Sequence, residues 1–224
     1  MKLPKLELPK YTCILPYSNK TVEYRPYTVK EERIIAMSTA GDDKDSMRDA
    51  ITQVIENCAS VDTKALHEVD FETIFLKLIS ASVSPIQDIN VAIQCIGCGV
   101  HAEVETKASL DNVEVHGMDE LKKNYTRKTG YWVIDLDGGI GLMVSPVMFD
   151  GDDDEFLFKS TVGIFDNETV HSDFTKEEFF EWIEALPKKE FTKIQKFFDM
   201  QPYTYLGIKV NCPNCGAENT TAIT

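Results

Sequence analysis

The sequence predicts an α+β protein: a β-hairpin and helices, then a β region built around two cysteine pairs, then two aromatic helices. Three observations support this fold class. Apolar residues recur at helical spacing before Pro85 and again after Thr175. From Ile89 onwards, apolar and polar residues alternate as they do in half-buried strands. Two Cys-x-x-Cys-Gly motifs follow strand-like segments in the second half of the chain.

The N-terminal part is expected to contain one β-hairpin and three helices. Tyr11–Leu15 and Thr21–Tyr24 are β-like runs on either side of Ser18-Asn19, a sequence that favours a turn. Thr28 and Glu31 have the spacing of a capping box, which predicts the start of the first helix. The three predicted helices run from Thr28 to Gly41, from about Asp45 to Cys58, and from about Asp70 to Pro85.

The middle of the chain is expected to form strands. Asn90–Gln94 leads into Cys95-Ile-Gly-Cys98 and Val100–Glu105 leads out, which predicts a hairpin with two thiols in its turn. Further strands are predicted at Val113–Val115, Tyr131–Ile134 and Ile140–Val144, with a turn at Asp137-Gly138-Gly139 before the last one. The acidic run Asp150–Glu155 is expected to be an exposed loop or a helix start.

Two aromatic helices are expected near the C-terminus. Thr175 and Glu178 form a second capping box, and Pro187 separates the two helices. Their apolar stripe consists of Phe179, Phe180, Trp182, Ile183 and Leu186, followed by Phe191, Ile194, Phe197 and Phe198. The stripe either closes the core or forms a groove for a partner, and the sequence leaves both open. A strand at Tyr205–Val210 then leads into the second cysteine pair.

The four paired cysteines are predicted to bind one structural zinc ion. Two Cys-x-x-Cys turns supply four thiolates, the ligand set of a tetrahedral zinc site. The residues concerned are Cys95, Cys98, Cys212 and Cys215. The glycine after each pair lets the chain leave the turn with a positive φ angle. A site of this kind is zinc-ribbon-like, and we expect it to connect distant parts of the chain.

Two other uses of the cysteines are less favoured. A redox role requires a Cys-x-x-Cys at a helix N-terminus, where the dipole lowers the thiol pKa, but both pairs follow strand-like segments. His101 could replace one thiolate as a ligand, although four cysteines already complete the coordination shell.

We expect two domains, residues 1–88 with the arm, hairpin and helices, and residues 89–224 with the zinc-ribbon-centred β region and the C-terminal helices.

The composition argues against a nucleic-acid or membrane partner. Acidic residues outnumber basic ones 37 to 23, and the net charge is −14, whereas phosphate recognition requires clustered lysine and arginine. The longest mostly apolar stretch, residues 139–149, is too short to span a bilayer as a helix. Met1–Lys10 alternates charge with leucine, so we expect no signal peptide and cytosolic synthesis with reduced thiols.

No catalytic constellation is visible, so the chain is expected not to be an enzyme. The histidines His67, His101, His116 and His171 do not form a His-Glu-x-x-His motif. No nucleophile elbow is present either. The run Gly138–Gly141 sits between predicted strands and lacks the glycine order of a phosphate-binding loop.

Three stretches, together with the cysteine pairs, resemble a known family. They are Leu15–Glu32 (LPYSNKTVEYRPYTVKEE), Phe71–Ser80 (FETIFLKLIS) and Leu186–Phe198 (LPKKEFTKIQKFF). In this order they are similar to the baseplate hub subunit or hub assembly family of T-even-type myophages. The cysteine pairs match the zinc-ribbon-containing variant of that family. The resemblance extends over nearly the whole chain.

The resemblance implies a structural or assembly component of the central baseplate hub of a contractile phage tail. Such a protein acts through protein–protein interaction, with hub or tape-measure proteins as partners, and it inherits no catalytic residues. It works in the host cytoplasm during assembly and, if retained, in the tail baseplate of the virion. A transient chaperone for the hub or the tape-measure protein is the alternative within this reading. Self-association into a homo-oligomer is left open.

Two rival hypotheses belong to other functional classes. The first is a tail-associated hydrolase that uses the acidic run Asp150–Glu155 or a thiol pair. That run does not match a calcium-binding EF-hand loop, because Glu155 stands where the loop requires glycine. The second rival is a cellular zinc-ribbon adaptor unrelated to phages.

Overall fold

The fold is described by a computed structural model that covers residues 6–39, 44–128, 130–145 and 153–223. Seven α-helices and twelve β-strands lie within these ranges, so the predicted α+β class is confirmed. The helices are α1 Val29–Thr39, α2 Lys44–Cys58, α3 Glu68–Ser82, α4 Met118–Asn124, α5 Asp153–Ser160, α6 Lys176–Glu184 and α7 Lys188–Asp199.

The strands form four sheets in the described part of the chain. Their bounds are β1 Tyr11–Ile14, β2 Thr21–Tyr24, β3 Ile86–Gln94, β4 His101–Ser109, β5 Glu114–His116, β6 Thr126–Lys128, β7 Tyr131–Asp135, β8 Gly141–Val144, β9 Thr161–Phe165, β10 Val170–His171, β11 Tyr203–Asn211 and β12 Glu218–Ile223. Two sheets are the hairpins β1-β2 and β3-β4; the others have the orders β10-β9-β8-β7-β6 and β12-β11-β5.

The chain divides into two compact units. The first unit contains the described residues of Met1–Thr63, Asp70–Val115 and Thr204–Thr224, and the second those of Lys64–Val69 and His116–Tyr203. The domain division expected from the sequence, at residues 88 and 89, falls inside β3 and stays a prediction about folding.

In the first unit, the N-terminal hairpin is attached to α3 by one buried carboxylate. β1 and β2 form the antiparallel hairpin that the sequence predicts, and its register places Tyr11 opposite Tyr24. The fully buried carboxylate of Asp70 accepts hydrogen bonds from the backbone N–H groups of Tyr17 and Ser18, at 2.8 and 2.9 Å. Because a buried charge is stable only when it is hydrogen-bonded, these contacts fix the hairpin turn against the helix.

The capping box predicted at α1 is only half formed. Glu31 accepts a hydrogen bond from the backbone N–H of Thr28 at 2.8 Å, as expected. The Thr28 hydroxyl, however, donates to the Glu31 carboxylate and accepts from the N–H of Lys30 at 3.3 Å. Arg25 also donates to Glu31, at 3.2 Å, so this carboxylate collects three donors at the start of the helix.

Two long hairpins of the first unit share one hydrophobic core. β3 and β4 pair over nine residues, from Ile86 opposite Ser109 to Gln94 opposite His101. β11 and β12 pair from Leu206 opposite Ile223 to Asn211 opposite Glu218. The buried side chains between them are Val91, Ile93, Cys95, Ala108, Leu206, Ile208, Val210 and Cys212. Their alternation along the strands follows from the two-residue period of a β-strand, and it carries one cysteine of each pair into the core.

The second unit contains the five-stranded antiparallel sheet and the aromatic helices. The turn before β8 has glycines with φ of 85° and 78°, Gly138 and Gly139, as the predicted turn requires. α6 begins with the predicted capping box, in which Thr175 and Glu178 each accept from the other's backbone N–H.

The aromatic stripe divides between core and surface. Four side chains of the stripe are buried and belong to the core: Phe179, Ile183, Ile194 and Phe197. Phe180, Trp182, Phe191 and Phe198 are only half-buried. Part of the stripe therefore remains accessible from solvent.

Candidate metal centre

The two cysteine pairs meet at the tips of the two long hairpins. The turn between β3 and β4, residues 95–99, is termed the first knuckle, and the turn between β11 and β12, residues 212–216, the second knuckle. All four Sγ atoms lie within 4.8 Å of one another. Cys95 and Cys215 are 3.5 Å apart, and Cys98 and Cys212 are 3.8 Å apart, measured between Sγ atoms. Four sulfurs at about 2.3 Å from a tetrahedral ion would be about 3.8 Å apart, so the spacing fits a metal site.

Both knuckles have the same backbone hydrogen bonds. In the first, the N–H of Cys95 donates to the carbonyl of Val100 at 2.9 Å, and the N–H of Gly99 donates to the carbonyl of Cys95 at 2.8 Å. Cys212 forms the corresponding two bonds at 2.9 Å each. Gly99 and Gly216 have φ of 72° and 75°, a region that a side chain disfavours. The Cys-x-x-Cys-Gly spacing therefore encodes a turn that places two thiols on one side.

N–H groups near the sulfurs of the first knuckle favour the thiolate forms of Cys95 and Cys98. The backbone N–H of Cys98 is the main cause of a Cys95 pKa of about 6. The side-chain amide of Asn214 donates to the Cys98 sulfur at 3.5 Å and lowers the pKa of that thiol. For Cys215 the N–H of Ala217 lowers the pKa, but the neighbouring Cys95 and Cys98 outweigh it and raise the value to about 12. Four thiolates repel one another in so small a space, and a bound cation removes that repulsion.

Asn219, in β12 just after the second knuckle, is hydrogen-bonded to the first knuckle, and it was not anticipated from the sequence. Its Oδ1 accepts a hydrogen bond from the backbone N–H of Ile96 at 2.9 Å. Its Nδ2 donates to the carbonyl of Ala217 at 2.8 Å and lies 3.7 Å from the sulfur of Cys95. The side chain is only 3% exposed. In the sequence, only its position four residues after Cys215 points to a role near the thiols. The contact with Ile96 depends on how the two hairpins lie in space.

Close packing brings the knuckles to this separation. A Cβ atom at Gly97 would lie 2.9 Å from the Cβ of Ala217 and 3.5 Å from the sulfur of Cys215. Glycine is thus required at this position by the approach of the second knuckle. The first cysteine of each pair, Cys95 and Cys212, is buried, while the second is exposed. Four thiolates leave no open coordination position, so the chemistry of this donor set is structural.

The structure does not place the other candidate residues in the site. His101 is exposed at the start of β4 and is not part of the four-residue group. Neither knuckle starts a helix, since each joins two strands, and the geometry that redox activity requires is missing from this site. Cys13 and Cys58 are not in the group either, and burial raises the pKa of both thiols.

Where the structure describes them, the acidic run lies at a helix start with ion pairs, and the glycine run lies in a turn between two strands. Residues 150–152 lie outside the described residues, and α5 begins at Asp153. Glu155 forms ion pairs with Lys159 at 3.4 Å and with Lys176 at 3.2 Å. Gly138–Gly141 connects β7 to β8 without a helix N-terminus, the feature that binds phosphate. Among the described helices, none has the length and apolar character needed to cross a membrane.

Comparison with known proteins places the chain in a family. No match is found among curated proteins or among solved structures. A family model described as "T4 bacteriophage base plate protein", by contrast, matches residues 8–224, which include both knuckles and extend through both compact units. The chain belongs to the family of T4 bacteriophage base plate proteins.

Proposed function

We propose that this chain is a structural or assembly component of the central hub of the baseplate in a contractile phage tail. The observation that carries the proposal is the family match over residues 8–224, which makes the chain a phage baseplate protein. The narrower assignment to the hub rests on the resemblance of Leu15–Glu32, Phe71–Ser80 and Leu186–Phe198 to hub subunits. Hub or tape-measure proteins are the proposed partners, and the action is by contact without catalysis.

We further propose that Cys95, Cys98, Cys212 and Cys215 hold one Zn²⁺ ion. Support comes from the sulfur spacing, from the matching backbone of the two knuckles and from the amide donors around the thiols. The bound ion would cross-link the β3-β4 and β11-β12 hairpins. Metal binding that is coupled to folding contributes on the order of 10 kcal/mol in small zinc modules. A rigid, closed β region of this kind suits a protein that presents fixed surfaces to neighbouring subunits.

Mass spectrometry of purified virions tests the assignment to the baseplate hub. The chain should be present at a fixed ratio to the tail proteins in mature particles and should co-purify with hub proteins when the particles are dissociated. Its complete absence from virions and from tail intermediates would overturn the proposal. Elemental analysis of the purified chain should give close to one zinc per molecule, and a metal-free folded protein would overturn the zinc assignment alone.

Mass spectrometry of mature virions and of tail intermediates, compared with each other, separates a retained subunit from an assembly chaperone. A chaperone for the hub or the tape-measure protein is present in tail intermediates and absent from mature virions. A retained subunit has the same ratio in both preparations. The copy number per tail, and with it any self-association, follows from the measured ratio.

A peptidoglycan-hydrolysis assay tests the rival enzyme hypothesis. The variant with Asp152, Asp153 and Glu155 changed to alanine would lose activity if the acidic run were catalytic. The proposed function predicts no hydrolysis by either protein. Activity in the parent that disappears in the variant would contradict it.

A further inference from the structure

The second unit carries a groove in which an apolar floor meets an acidic rim. The groove encloses about 450 Å³ and is termed the acidic aromatic groove. Its lining residues are Ile140, Ile164, Phe165, Asp166, His171, Asp173, Phe174, Glu178, Phe179 and Trp182. Three of these residues are acidic, four are phenylalanine or tryptophan, one is a histidine, and none is a lysine or an arginine.

The sheet and helix α6 build the floor of the groove. Phe179, from the first turn of α6, is fully buried, and its ring stacks on that of Phe174 with centroids 5.9 Å apart at 20°. Phe165 ends β9, and Ile164 next to it pairs with Leu142 of β8. These elements belong to the core of the second unit, so the floor is fixed before any partner arrives.

Trp182 is the exposed aromatic surface of the groove. It lies about one helical turn after Phe179 on α6 and is half-buried. No hydrogen bond or ring contact engages its side chain within the described residues. Tryptophan is one of the side chains enriched among the residues that dominate binding energy in interfaces. Its indole face is also the best aromatic surface for a cation.

The carboxylates of the rim differ in how they are used inside the chain. Asp166 accepts hydrogen bonds from the N–H groups of Glu168 and Thr169, both at 2.8 Å, and its Oδ2 lies 3.2 Å from Nε2 of His171, which also lines the groove. Glu178 caps α6 through the N–H of Thr175. Asp173, by contrast, is exposed and has neither a hydrogen bond nor an ion pair in the part of the chain that the structure describes. It is a negative charge available to a ligand.

We infer that the acidic aromatic groove docks an arginine side chain presented by a segment of another baseplate protein; this inference rests on the proposed function. Guanidinium is planar, so it stacks on Trp182 while its N–H fork reaches a carboxylate such as Asp173. An apolar side chain would fill the floor but leave the rim carboxylates without partners. A lysine would supply charge without the flat surface that an indole face matches. The groove chemistry therefore selects arginine.

Two blocked pentapeptides test this inference on the full-length protein. One has a central arginine between leucines, and the other has citrulline, which has the same shape without the charge. The arginine peptide, titrated to about 10 mM, should shift the indole N–H resonance of Trp182 in ¹H–¹⁵N spectra. The Trp182→Phe variant identifies that resonance and separates it from the signal of buried Trp132. The citrulline peptide should produce a shift at least about fivefold weaker at equal concentration.

Two variants that each neutralise one carboxylate test whether Asp173 contacts the guanidinium of the peptide. Asp173→Asn should weaken the arginine peptide roughly fivefold, while Glu184→Gln should leave it unchanged. Glu184 is exposed on the same helix as Trp182 but does not line the groove. Equal shifts with both peptides, or no shift with either, would overturn the arginine assignment. If the peptides give either of these results while mass spectrometry finds the chain in virions, only the groove assignment is refuted. Absence of the chain from virions and from tail intermediates refutes the proposed function instead.

Discussion

The side chain of Asn219 accepts a hydrogen bond from the backbone of Ile96, a residue 123 positions earlier in the chain, at 2.9 Å. One amide of β12 therefore connects the second long hairpin to the first knuckle without using a thiol. The same side chain donates to the carbonyl of Ala217 and faces the sulfur of Cys95. Hydrogen-bond donors behind a metal ligand orient it and tune its affinity, so Asn219 has the position of such a supporting residue.

Replacing Asn219 by alanine is expected to lower zinc affinity about 10- to 100-fold, because the Ile96 N–H loses its acceptor and the Cys95 sulfur loses one of its donors. Competition with a chromophoric chelator measures this change. Asn214→Ala is the matched control, since Asn214 also donates to a cysteine sulfur of the first knuckle but is exposed and accepts no backbone N–H from it. It should reduce affinity much less. Equal losses in the two variants would show that the buried hydrogen bond to the Ile96 backbone adds nothing to the affinity.

Replacing Cys212 by serine is expected to reduce the bound zinc from close to one per chain to nearly none. The β3-β4 and β11-β12 hairpins should then exchange their amide hydrogens faster, because their shared core loses its cross-link. The helices before Pro85 should keep their protection, as the expected division at residues 88 and 89 requires. Hydrogen exchange read by mass spectrometry distinguishes these regions. Uniform loss of protection would mean that the chain unfolds as one domain.

Much of the four-cysteine cluster could be predicted because its signals are local. Cys-x-x-Cys-Gly specifies a thiol-bearing turn by itself, and alternation around it specifies strands, so the four candidate ligands can be identified without knowledge of the fold. The capping box at Thr175 was predictable for the same reason, since both partners lie within one helical turn.

Features that depend on distant residues escaped prediction. β12 has the sequence ENTTAI, which is mostly polar, and it is a strand because the second knuckle folds it back on β11. β9 follows the acidic run and includes Gly163, so its alternation is weak, yet pairing with β8 defines it. The role of Asn219 depends on the location of Ile96 in space. No local pattern could supply that information.

Stability in acid should depend on Glu31 in a defined pH window. Burial opposes its ionisation, but hydrogen bonds from Thr28 and Arg25 prevail and lower its pKa from 4.5 to about 2. A carboxyl whose folded pKa is depressed stabilises the fold above its unfolded pKa, and this stabilisation is lost as pH falls from about 4.5 through about 2. Glu31→Gln should therefore reduce the free energy of unfolding by about 3 kcal/mol at pH 7 and by little near pH 2.

Asp137 provides the control for this pH dependence. Hydrogen bonds from Lys193 and Lys189 lower its pKa to about 2 as well, but its side chain is 64% exposed. Solvent screens such a pair, so Asp137→Asn should change the free energy of unfolding far less than Glu31→Gln at pH 7. Urea denaturation of both variants at several pH values measures the difference. Similar losses in the two variants would contradict the importance assigned to burial at Glu31.

A methyl group added at Gly141 should separate two strands beneath the acidic aromatic groove. A Cβ there would overlap the carbonyl oxygen of Ile134 and the ring of Phe165, and backbone cannot move away as a flexible side chain can. Gly141→Ala should therefore cost about 3 kcal/mol of unfolding free energy. Gly138→Ala is the control: its φ is +85° but nothing lies within 4 Å of its added Cβ, so it should cost only about 1 kcal/mol through backbone strain. Equal losses in urea denaturation would mean that the contacts of a side chain at position 141 with β7 and β9 cost no more than the backbone strain at position 138.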